Sequence, residues 1–423
     1  MKLLAMKVVP MKFVPTLFVS GAVLAVLTLQ PALAAQRAKA SAADQAEVTK
    51  GNNAFTVDLY GRLREQKGNL FFSPESISTA FAMADAGARG ETAAEMARVF
   101  HYTLPQDRLY PAMGALLAGM NAQHAGYELR VGDALWAQQE SSFESSYLGL
   151  MQRDYGANFR RVDFKTQPEA VRGTINQWVE KETNDRVTNL IGPGVLTPQT
   201  RLVLTNAIYF KGTWRAPFEK GATTEDGDFH LSAAQTVKTP LMHRTGGYRY
   251  YDGATFQELE LPYEGDDLAM VVLLPKETDG LSALEQKFTP AASQAWIDKL
   301  EPAEKVIVTF PRFTMTQQFE LSGTLAKMGM PQAFSPAADF SGMTGKRAFS
   351  ISAAIHKAFI DVNEQGTEAA AATATVMVAT AMRVPRPEPP PVVFRADHPF
   401  LFMIRDVKTG GILFLGRVED PTK

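Results

Sequence analysis

The residues able to do chemistry are few and scattered. The six histidines are His101, His124, His230, His243, His356 and His398, and the 423-residue chain has no cysteine. A thiol nucleophile is therefore absent, and zinc would have to rely on histidine and carboxylate ligands. No His-Glu-x-x-His pair, Gly-x-Ser-x-Gly elbow, Gly-x-Gly-x-x-Gly turn or phosphate-binding loop occurs. A triad assembled in space leaves no linear signature, so that one enzymatic route stays open. The net charge of −2 and the lack of like-charge blocks argue against nucleic-acid or membrane-surface binding.

The segment whose composition stands apart is 361–385. From Gly366 to Met382 its only charge is Glu368, and Ala369, Ala370, Ala371 and Ala372 are followed by threonines and valines. Read with a period of two, Thr367, Ala369, Ala371, Thr373, Thr375 and Met377 share one small, uncharged face. Such a face fits between two strands without a clash, and Gly366 offers a hinge of low steric cost. The alanine run also suits a helix, and a disordered linker is a third reading. Pro385, Pro387, Pro389, Pro390 and Pro391 follow and favour an extended spacer that cannot join a central sheet.

The elements around this segment follow from periodicity. Lys2, Lys7 and Lys12, an apolar run from Phe13 to Leu29 and Ala32-Leu33-Ala34 read as a signal peptide over 1–34. Residues 35–46 read as a disordered lead, and 47–423 as one domain whose stability must come from a large core, since an exported chain without cysteine forms no disulfides. Helices are expected at 45–66, from Pro74, and at 91–100, 107–122, 167–182, 280–299 and 319–328. Strands are expected at 127–137, 201–214, 268–275, 306–313, 355–362, 394–405 and 411–418.

Three stretches resemble one family, the serpins. The hinge pattern stands as Glu364-Gln365-Gly366-Thr367-Glu368 followed by Ala369 to Ala372. Leu204, Asn206, Ala207, Tyr209, Phe210, Lys211, Gly212 and Trp214 fit a second pattern, and Asp397-His398-Pro399-Phe400 through Arg405 fits a third. Asn69 to Ile77 and Ala338 to Met343 are similar to further serpin segments. Asp133, before Ala134-Leu135-Trp136, departs from the family's asparagine. The resemblance implies an α+β serpin fold with three β-sheets, eight or nine helices and an exposed reactive-centre loop at about 364–392, in a secreted bacterial-type member.

It also implies a function. A serine protease, or as second candidate a cysteine protease, would attack the loop and be trapped as a covalent complex while the cleaved hinge enters the central sheet. A non-inhibitory serpin-fold binding or chaperone protein is the alternative. The family's scissile position falls on Thr380 and Ala381, with Met382 and Arg383 as alternatives because the spacer is long. Arg383 would suit a trypsin-like protease, and Thr380 an elastase-like one. Ser73, Ser76, Asn206 and His356 match polar residues beneath the parting strands, Trp214 the point where the loop enters, and Arg312 a base facing Glu364. The expected protein is a monomer, extracellular or periplasmic, with no cofactor, catalytic residue or metal site, and it binds neither nucleic acid nor membrane.

Overall fold

The computed structural model describes residues 40–156, 158–367 and 391–423. In chain order, α1 (Ala42–Leu63), β1 (Leu70–Phe72), α2 (Pro74–Asp85), α3 (Gly90–Phe100) and α4 (Gln106–Met120) come first. They are followed by β2 (Tyr127–Gln138), α5 (Ser145–Leu150), β3 (Phe159–Val162), α6 (Pro168–Glu182) and β4 (Leu202–Thr213). The middle of the chain forms β5 (Thr224–Ser232), β6 (Gln235–Asp252), β7 (Phe256–Pro262), β8 (Leu268–Pro275), α7 (Leu281–Lys287) and α8 (Pro290–Ile297). Then come β9 (Glu301–Pro311), β10 (Phe313–Glu320), α9 (Ser322–Met328), α10 (Ser341–Thr344), β11 (Ala353–Asn363) and β12 (Gly366–Thr367). The chain ends with β13 (Val392–Arg395), β14 (Phe400–Asp406) and β15 (Ile412–Val418).

Helix α1 starts at Ala42, earlier than expected, because the Ser41 hydroxyl accepts the Asp44 backbone N–H at 3.0 Å. Residues 42–46 are thus helical rather than part of a disordered lead. Helix α2 starts where Ser73 caps it, with Pro74 in its first turn.

The strands form two hydrogen-bonded sheets among the described residues. One has six strands in the order β10-β11-β12-β4-β2-β3. The other runs β1-β15-β14-β8-β7-β6-β9-β13, with β5 on β6. Two of the three expected sheets are joined here because β6 runs for 18 residues and pairs with β5, β7 and β9. The helices among the described residues number ten, against eight or nine expected.

The main core includes Phe55, Leu59, Phe71, Ile77, Phe210, Met270 and Phe402, contributed by α1, α2 and both sheets. A second cluster packs α6, through Val171, Ile175 and Val179, against Trp136, Val203, Ala207 and Ile355 of the six-stranded sheet. Helix α2 contacts β2 and β4 of the same sheet. The sheet that matters for the loop is therefore backed by fixed elements, while β11 and β4 meet in parallel at its centre.

Candidate functional site: the loop hinge and the sheet it enters

Strand β11 pairs in parallel with β4 from Ala353↔Val203 to Phe359↔Tyr209. Past that point β11 turns at Glu364-Gln365 and returns as β12, which lies between the two. Its register is Val362↔Thr367 and Asn363↔Gly366 on one side, and Thr367↔Gly212 and Gly366↔Thr213 on the other. The position requires glycine: Gly366 has φ +155°, and a methyl group there would run into the Gly212 carbonyl.

Thr367 is fully buried, and its hydroxyl shares a hydrogen bond with the Tyr263 hydroxyl at 2.7 Å. The Tyr263 ring stacks on Trp214, centroids 4.6 Å apart. Trp214 in turn holds the turn from below: its Nε1–H donates to the Asn363 carbonyl at 3.0 Å, and its backbone N–H to Gln365 at 2.9 Å. Trp214 thus contacts both the turn that precedes β12 and the Tyr263 ring.

Glu364 is buried beside Arg312, whose guanidinium Nη2 donates to its carboxylate. The Thr223 hydroxyl adds a bond to the same oxygen at 2.8 Å, and Arg312 also reaches Glu225 at 3.3 Å. Burial alone would push the Glu364 carboxyl up. The hydrogen bonds from Arg312, its own backbone and Thr223, with the Arg312 charge, outweigh that and hold it below its ordinary range.

One layer down, β11 and β4 are joined through side chains. The Ser73 backbone N–H donates to His356 Nε2 at 3.2 Å. The neutral ring must then carry its proton on Nδ1 and donate it to Asn206 Oδ1. Asn206 Nδ2 is left to donate to Ser76 Oγ and to Asp133 Oδ1, and Ser76 Oγ donates to the same Asp133 oxygen at 3.1 Å. His356 and Asp133 are both wholly buried. Burial pushes the His356 ring down to about 3. It also holds the Asp133 carboxyl well above its ordinary range, against the two donors, and Asp133 Oδ2 has no partner.

The structure thus brings together Ser73, Ser76, Asn206 and His356, and separately Trp214, Arg312, Glu364, Gly366 and Thr367. Ser73 reaches His356 through its backbone, while its hydroxyl caps α2 by accepting from the Ser76 N–H at 3.3 Å. Glu368, Ala369, Ala370, Ala371, Ala372, Thr380, Ala381, Met382 and Arg383 lie outside the described residues. Sequence reasoning missed Asp133, Tyr263 and Thr223. Asp133 had one signal, its departure from asparagine; Tyr263 and Thr223 had none.

Comparison with known proteins agrees with this geometry. The family model for serpins (serine protease inhibitors) matches residues 50–421. Human leukocyte elastase inhibitor is 39% identical over 386 residues, 89% of this chain and 100% of that one. An uncharacterized serpin-like protein of Thermococcus kodakarensis is 42% identical over 375 residues, 88% of this chain and 86% of that one. These relatives are mammalian and archaeal, and they give the bacterial-type expectation no support. Uncleaved ovalbumin superposes with a TM-score of 0.80 at 27% identity, covering 89% of this chain and 100% of that one. Human thyroxine-binding globulin complexed with thyroxine also gives 0.80, at 28% identity, covering 90% of this chain and 100% of that one. With the family model matched over nearly the whole described length, the chain belongs to the serpin family.

Proposed function

We propose that this serpin is an irreversible suicide-substrate inhibitor of serine proteases. One observation carries the reading: Gly366 and Thr367 sit as a strand between β11 and β4. A hinge seated at the mouth of that gap needs only continued pairing to become a full central strand.

The chemistry is that of an acyl transfer arrested halfway. The protease serine attacks the scissile carbonyl, the amide bond breaks, the new amine leaves protonated, and an ester joins protease and inhibitor. The freed arm then extends β12 down the gap, displacing the β11–β4 pairing from Phe359↔Tyr209 onward. Ladder hydrogen bonds are gained along the new strand, a mode of strand addition that serpins are known for. Fifteen residues at ~3.3 Å each carry the tethered protease roughly 50 Å, and a protease distorted at the far end cannot complete deacylation. The serpin pattern supports a scissile bond at Thr380-Ala381, with Met382 and Arg383 as alternatives, and the small residues Ala369 to Ala372 suit a buried path. The partner is a target protease; the leukocyte elastase inhibitors among the relatives support an elastase-like one. The basic N-terminus, apolar run and Ala32-Leu33-Ala34 support cleavage after Ala34 and export.

The test is incubation with elastase-like and trypsin-like proteases. An adduct that survives SDS, near the summed mass, is expected, and mass spectrometry of the C-terminal piece freed by denaturation names the bond. Cleavage of the loop with the protease left fully active would instead favour a non-inhibitory binding protein.

A further inference from the structure

A cavity of about 180 Å³ opens between the start of α1, α4, the beginning of β2 and the ends of β8 and β14. None of its lining residues belongs to β4, β11 or β12. Its walls are apolar along α4, through Leu116 and Met120, and aromatic at Tyr127. The carboxyl groups of Glu75 and Asp406 line it too, beside Gln45 and Thr409.

Glu75 is the anomaly. It sits in the first turn of α2 and is only 5% exposed. Its neighbour Asp406 has a settled carboxylate, whose Oδ1 accepts the backbone N–H groups of Lys408 and Thr409, both at 2.8 Å. No described group donates a hydrogen bond to the Glu75 carboxyl. Burial first, and the Asp406 charge second, push its carboxyl up to about 8. Its place on the cavity wall leaves this carboxyl open to an occupant that donates a hydrogen bond to it.

The other polar groups narrow what that occupant is. His124 stacks on Tyr127 with centroids 4.3 Å apart and planes 13° apart. Its Nε2–H donates to the Gly119 carbonyl at 2.8 Å. The charge of Asp267 also acts on Tyr127, and the ammonium of Lys408 is paired with Asp267 at 2.5 Å. An anion would meet Glu75 and Asp406, and an uncharged apolar guest would leave Glu75 without a donor. A positive head group would satisfy Glu75, lie near Asp406 and face the electron-rich Tyr127 ring, while a short alkyl tail covers Leu116 and Met120.

We propose that this cavity is a binding site for a small organic ammonium, with Glu75 as its ion-pair partner. The proposal stands apart from the inhibitory reading. It has a further consequence, because Glu75 lies between Ser73 and Ser76, which hold the polar set under β11 and β4. Pairing with an ammonium requires the Glu75 carboxyl to ionise, so binding releases a proton and tightens as pH rises toward 8.

The test uses the full chain with n-butylammonium chloride as probe and 1-butanol as its uncharged counterpart. Saturation-transfer NMR and the thermal midpoint are read at pH 6 and pH 8. Butylammonium is expected to bind at least tenfold more tightly than butanol at pH 8, and at least tenfold more tightly at pH 8 than at pH 6. Glu75→Gln is expected to abolish both differences. Ala115→Leu fills the cavity from α4 without touching either carboxyl, and it should remove binding of both probes, which keeps the test valid if Glu75→Gln folds poorly. Equal affinity for the two probes, or butylammonium binding that Ala115→Leu leaves intact, overturns the proposal.

Discussion

The hydroxyls of Thr367 and Tyr263 lie 2.7 Å apart in a fully buried contact, and so the hinge is already fastened to the sheet at Thr367. Thr367→Val would leave the Tyr263 hydroxyl unpaired, at ~1–3 kcal/mol. Tyr263→Phe in the same chain should restore part of that loss, because both polar groups are then gone. Urea unfolding of the two single variants and the double variant measures the coupling. Thr367→Arg is expected to go further, turning the inhibitor into a substrate: gel densitometry should show cleaved loop in at least tenfold excess over protease adduct.

Gly366→Ala tests the seat itself. The added methyl meets the Gly212 carbonyl at a backbone conformation that side chains avoid, so β12 should leave the gap. The expected readouts are faster proteolysis near residue 366 in the uncut protein, and at least tenfold less adduct with the target protease. Unchanged values for both would mean that β12 is not the seed of insertion.

Asp133 gives a dependence on pH whose sign is fixed. Its folded pKa is raised, so its stabilising contribution is complete below the unfolded value of ~3.9 and is lost as pH rises toward the folded value. His356 works in the opposite sense. Its folded pKa is lowered to about 3, so stability is lost as pH falls from ~6.5 toward that value. The two slopes oppose one another once pH passes ~4, and the His356 contribution is complete above ~6.5. Glu75 and Glu258, each pushed up to about 8 mainly by burial, slope the same way as Asp133. Asp133→Asn should therefore flatten part of the fall in urea-unfolding stability as pH rises above ~4, by as much as ~1.4 kcal/mol per pH unit. An identical slope in the variant would place the titration elsewhere.

His356→Leu removes the group that joins β11 to both α2 and β4. The Ser73 N–H and Asn206 Oδ1 lose their partner, each at ~1–3 kcal/mol. The β11–β4 seam should part more readily and admit the hinge arm of another molecule, so mild heating should yield polymers on native gels where the parent chain stays monomeric. A variant that stays monomeric under the same heating would show that the seam is held by its backbone ladder alone.

The sequence made the framework legible where a strand or helix carried its own signal. The continuous apolar run at Leu268–Pro275 and the small-residue hinge are examples. Strand β10 carries a weaker signal: the pattern predicts no element over 314–318 and a helix from 319, yet Phe313, Met315 and Phe319 alternate onto the core and the helix starts at Ser322. The expected strand at 394–405 is broken around Asp397, where Nδ1 of His398 meets the Asp397 carboxylate at 3.0 Å and its Nε2 the Pro275 carbonyl at 2.7 Å. That break depends on a partner more than a hundred residues away, which local pattern does not carry. The depth of the hinge was hidden for the same reason: Gly366 supplies the freedom to turn, but Tyr263 and Gly212 decide that the turn ends inside the sheet.

Beyond the loop, the chain supplies β13, β14 and β15, and every residue of β14 from Phe400 to Arg405 is buried between β8 and β15. Severing the polypeptide in the loop consequently splits the covalent backbone while leaving one particle. The short tail piece stays clamped by the nine-stranded sheet, elutes with the remainder on a sizing column, and comes free only when that sheet is melted.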